Sequence, residues 1–73
     1  MKTFEILIQR TILKNTECNK ITEIKSNSII NTFDKLKLIP FFNNVMVKNP
    51  MFIKKGKYSI DRYTTLIIRQ LRN

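Results

Sequence analysis

The chain has 73 residues, with 14 Lys and Arg against 5 Asp and Glu, no histidine and one cysteine, so its net charge is +9. That length holds one domain, residues 1–73, and a core that buries only roughly 60% of the surface the unfolded chain exposes. An imidazole base, an internal disulfide and a structural zinc site of thiolate or imidazole ligands are all excluded by inventory. The charge excess on a chain with an ordinary apolar fraction of 42% points to a polyanionic partner rather than to a disordered basic tail.

Phe4, Ile6 and Ile8 alternate with Glu5, Leu7 and Gln9. This two-residue period predicts a half-buried strand that can extend to Leu13. Residues 14–27 are polar without a clean period and are expected to form a loop. A second strand over 20–25, paired in a hairpin with the first, is the alternative. Ser26 or Ser28 can cap a helix over 28–38, whose stripe is Ile29, Ile30, Phe33 and Leu36, and which Pro40 stops. Val45 and Val47 alternate with Asn44 and Met46 in a strand over 43–48. Asn49-Pro50 is a helix-opening pair, so 51–62 is expected to form a short or broken helix around Gly56. Tyr63 to Leu71 closes the chain as a strand. The expected fold is α+β: a β-α-β-α-β domain with a three-stranded antiparallel sheet and the helices on one face.

The five acids, Glu5, Glu17, Glu23, Asp34 and Asp61, are scattered and form no acid/base motif. The one glycine cannot build a phosphate-cradling Gly-rich loop. Cys18 has no cation beside it to activate a thiolate and reads as a small, half-buried apolar residue. No catalysis, cofactor, metal or small-molecule substrate is expected. No apolar run approaches the ~20 residues of a membrane span, and residues 1–11 lack the marks of a secretory signal. Ile, Asn and Lys dominate the composition, which suits an AT-rich genome.

The cations fall at the ends of the expected elements. Arg10 and Lys14 follow the first strand, Lys37 rides the helix, Lys48 precedes Asn49-Pro50, and Lys54, Lys55 and Lys57 surround Gly56. Arg62 precedes the last strand. Such residues suit hydrogen bonds and charge contacts to backbone phosphates, which hold a protein on nucleic acid without reading its sequence. The Phe residues are expected in the core.

Arg10-Thr11 after a strand, Leu36-Lys37-Leu38 closing a helix, Val45-Met46-Val47-Lys48 running into Asn49-Pro50, the basic Ile53-Lys54-Lys55-Gly56 and the aliphatic Leu66-Ile67-Ile68 together resemble the large-subunit ribosomal protein thirty family, in its divergent mitochondrial form. The chain departs from that family by about ten extra residues between Arg10 and Leu36, by Lys37 in place of a glycine, and by a glycine set two positions further from the proline. The resemblance implies a structural constituent of the large subunit of a mitochondrial or other organellar ribosome. It implies partners in ribosomal RNA and neighbouring ribosomal proteins. RNA contacts would fall by position to Arg10, Thr11, Lys48, Asn49, Lys54 and Lys55. Phe4 to Ile8 and Ile53-Lys54-Lys55 more faintly resemble small-subunit ribosomal protein six. The alternative is a small phage or viral protein that inhibits a host protein machine through an apolar patch at Phe41, Phe42 and Met51.

Overall fold

A computed structural model describes residues 1–40 and 51–71. Its elements in chain order are β1 (Lys2–Ile12), β2 (Asn15–Ser26), α1 (Ile29–Leu36), β3 (Met51–Lys54), β4 (Lys57–Ser59) and β5 (Thr64–Gln70). The strands form one five-stranded sheet in the order β2-β1-β5-β4-β3, and every neighbouring pair is antiparallel.

This fold corrects the expectation of a three-stranded β-α-β-α-β domain. The protein is mostly β, with one short helix among the described residues. Two segments account for the difference. Residues 14–27 are not a loop. All but the turn residue Lys14 and Asn27 form β2, a strand at the sheet's edge, and the hairpin alternative had its direction right but its length short. A strand wet along most of both faces carries no alternating apolar signal, and β2 is exposed over most of its length. The second segment, 51–62, is not a helix. Gly56 adopts φ +84, a left-handed conformation that turns the chain from β3 into β4 and would break a helix. The expected strand over 43–48 lies outside the described residues.

The first hairpin turns on Leu13 and Lys14, both with positive φ (48 and 70). Two such residues make the turn that matches the right-handed twist of its strands. Ile21 is an extra residue in β2, because Ile6 pairs with Thr22 while Leu7 pairs with Lys20. The bulge swaps which face each later side chain occupies.

One face of the sheet is the core. Phe4, Ile6, Leu66 and Ile68 are buried beneath Leu36 of α1, with Ile29, Phe33, Ile24 and Tyr58 packed around them. Each fully buried large side chain contributes about 1.5–3 kcal/mol. Helix α1 begins as the serine reading requires: Ser28 is extended and its hydroxyl accepts from the Asn31 N–H at 3.1 Å. The hydroxyls of buried Ser26 and Thr32 are hydrogen-bonded at 2.6 Å and lie 2.8 and 2.9 Å from the Ser28 carbonyl, so that one donates to the carbonyl and the other to its neighbouring hydroxyl. Lys35 Nζ donates to the Lys25 carbonyl at 2.7 Å. These bonds tie the helix to the end of β2.

Candidate nucleic-acid interface

The other face of the sheet carries no helix among the described residues. Register places one row of side chains across all five strands on it: Lys20, Leu7, Ile67, Lys57 and Lys54. The adjacent row holds Glu23, Glu5 and Arg69. Each row contains a like-charged pair set directly opposite each other, which is unfavourable unless a counter-ion relieves it.

The acidic pair has its counter-ions. Glu5 is 5% exposed, accepts from Arg69 and lies 3.9 Å from Lys20 Nζ. Glu23 forms its own pair with Lys20. Lys54 and Lys57 have no such relief. No carboxylate among the described residues lies within ion-pair distance of Lys54, Lys55 or Lys57. They surround a turn that must contain glycine, since a Cβ on Gly56 would meet the Ile68 carbonyl oxygen at 2.6 Å. The Ile68 N–H donates back to the Gly56 carbonyl at 2.7 Å. The turn is thereby clamped to β5, and the three lysines project from a fixed base.

The expected contact residues divide into groups. Lys54, Lys55 and Lys57 come together at the β3–β4 hairpin. Arg10, Thr11, Lys14 and Arg62 gather at the opposite end of the sheet, where the Thr11 N–H donates to the Tyr63 carbonyl at 2.9 Å. There Asp61 accepts from the Tyr63 N–H at 2.8 Å, and that bond first, then contacts with Thr64 and the charge of Arg10, hold its carboxyl below the ordinary 3.8. Lys37 belongs to neither group. It caps α1, lies 3.9 Å from Asp34 and sits 5.2 Å from the centroid of the Phe33 ring. Lys48 and Asn49 lie outside the described residues.

Sequence reasoning placed Arg69 among the cations near the last strand but not in the candidate site, and it missed Lys20. Each joins the charged face through pairing with β1, Lys20 from β2 and Arg69 from β5. Cys18 is exposed, against the half-buried expectation. Phe52 is 63% exposed, against the expectation of core packing. No group of three or more His, Cys, Asp or Glu among the described residues could hold a metal, and no helix among them is long and apolar enough to cross a membrane. Comparison with protein-family models, with curated proteins and with solved structures found no match.

Proposed function

We propose that the protein is a non-catalytic RNA-binding module that grips backbone phosphates with the β3–β4 hairpin. The observation that carries this reading is the cross-strand pair Lys54 and Lys57, with Lys55 between them and no described carboxylate in reach. The repulsion built into that pair falls when a phosphate sits against it. The net charge of +9 supplies the long-range attraction. In the cell the reading corresponds to a structural component of a ribonucleoprotein, and the narrower candidate is the large subunit of an organellar ribosome. That candidate now rests on the local sequence resemblance and the charge, because the three-stranded fold it implied is not the fold of this chain.

The test is a salt titration of RNA binding by fluorescence anisotropy. Replacing Lys54, Lys55 and Lys57 with Gln should weaken binding and flatten the slope of log affinity on log salt by about 2, since each phosphate contact contributes roughly 0.7–0.9. An unchanged slope removes the hairpin from the interface. Co-sedimentation of the tagged protein with salt-washed ribosomal subunits tests the narrower candidate, and absence from every ribosomal peak sinks it.

A second reading has its own observation. Of the expected apolar patch, Phe41 and Phe42 lie outside the described residues, while Met51 is exposed along β3 at the sheet's edge together with Phe52 and Ile53, a strip suited to a protein partner. Binding insensitive to salt and to the lysine substitutions would favour it.

A further inference from the structure

A cavity of about 460 Å³ opens on the core side of the same hairpin, within the ~300–1,000 Å³ of small-molecule sites. Its floor is apolar: Phe4 from β1, Ile29 from the first turn of α1 and Tyr58 from β4. Phe52 forms one wall, packed edge-on to Tyr58 at 5.8 Å between centroids. Tyr58 in turn packs against Phe33 at 4.7 Å, so the wall is braced from behind while Phe52 keeps 63% of its surface free. Lys2, Lys55 and the Gln70 amide also line the cavity. An apolar slot with a free aromatic wall, an amide and two ammonium groups matches a planar ring that bears hydrogen-bonding edges and an attached anion.

We infer that this cavity receives one unstacked base of a single-stranded RNA, stacked on Phe52, with its phosphate between Lys2 and Lys55. The inference rests on the RNA-binding reading and narrows it from RNA in general to an unpaired nucleotide. Several features favour that occupant over a neutral apolar ligand. The two lysines would gain nothing from an uncharged molecule. The Gln70 side chain both donates and accepts, as the edge of a base requires. The leading N–H groups of a helix also lack helical partners, and the first turn of α1 borders the cavity. A base held in a duplex has no face to offer Phe52, so the cavity distinguishes single strands from paired ones, whereas Lys54 and Lys57 on the opposite face accept phosphates of either.

The experiment is anisotropy with a fluorescein-labelled uridine oligonucleotide and with a fully paired RNA duplex of equal length. Phe52→Ala should weaken single-strand binding about tenfold, the loss of one base–aromatic stack, and leave duplex binding unchanged. Phe52→Leu, which keeps apolar bulk without a ring, should behave like Phe52→Ala, and Phe52→Tyr should bind as the parent does. Circular dichroism melting confirms that each variant is folded. Single-strand binding by Phe52→Ala equal to the parent's overturns the base pocket. Lysine-dependent binding confined to the duplex also overturns it, while leaving the charged-hairpin reading standing. Failure of the parent to bind either RNA overturns both.

Discussion

Gly56 shows how much one residue can settle. It is buried in the turn between β3 and β4 with φ +84, and any Cβ there would be driven to 2.6 Å from a backbone oxygen of β5. Backbone cannot step aside as a flexible side-chain tip can. Gly56→Ala therefore combines a left-handed backbone, which costs about 1–2 kcal/mol outside glycine, with separation of the turn from β5. A loss of at least about 2 kcal/mol in urea unfolding is expected. The same substitution should loosen Lys54, Lys55 and Lys57 together, since one turn sets all three. The sequence marked this residue as important but attached it to the wrong structure, because a lone glycine among lysines reads equally as a weak point in a helix or as a turn. The distinction lies in φ and in the approach of Ile68 on β5, a contact between strands that no local pattern around Gly56 contains.

At the scale of elements, legibility follows burial. β1, α1 and β5 pack into the core, and their apolar spacing was readable: Phe4, Ile6 and Ile8 on one face, Ile29, Phe33 and Leu36 on one helical stripe, Leu66 and Ile68 on the last strand; Ile30, counted with that stripe, is instead exposed. Ser28 was readable as a cap for the same reason, since its role is local. β2 was not, because a strand held by backbone pairing at the edge needs few apolar side chains of its own. Its turn is also unmarked. Leu13 and Lys14 occupy positions that favour Asn and Gly, and Leu13 is 90% exposed, so its side chain secures no packing in return. Replacing Leu13-Lys14 with Asn-Gly should raise stability by about 1 kcal/mol, read as a higher urea midpoint at unchanged slope. An unchanged midpoint would mean that the turn is already relaxed. The candidate site was legible as a run of lysines but not as a surface, because its other members, Lys20 and Arg69, reach it through strand pairing.

Across the whole molecule the sheet separates two environments. One face holds the apolar core and the aromatic cavity at its margin; the other holds charge, with Leu7 and Ile67 between cations at either side. Glu5 is the main restraint on that second face, since it engages both Lys20 and Arg69. Those partners remain largely in water, with side chains 45% and 66% exposed, so they can be hydrated if Glu5 is neutralised. Glu5→Gln should consequently cost only about 1 kcal/mol of stability. It should also tighten RNA binding at low salt and steepen the salt dependence, because Arg69 is released onto the face that carries Lys54 and Lys57 while Lys20 keeps its pair with Glu23. Weaker binding by a folded Glu5→Gln protein would show that the ion-pair cluster orders the interface rather than restraining it.

The pairing of β1 with β5 has a bearing on how the protein comes to exist. Phe4 lies opposite Gln70, and the Leu71 N–H donates to the Thr3 carbonyl at 2.8 Å. The centre of the sheet is thus built from segments separated by almost all the intervening sequence. During synthesis the β1–β2 hairpin can close early, but its buried edge has no neighbour until residues 64–70 leave the ribosome. Non-local pairing of this kind slows folding, and in the interval Ile6 and Leu7 stand on an open strand edge. A nascent chain of this design spends its youth with its most apolar strand uncovered on the side that β5 later takes.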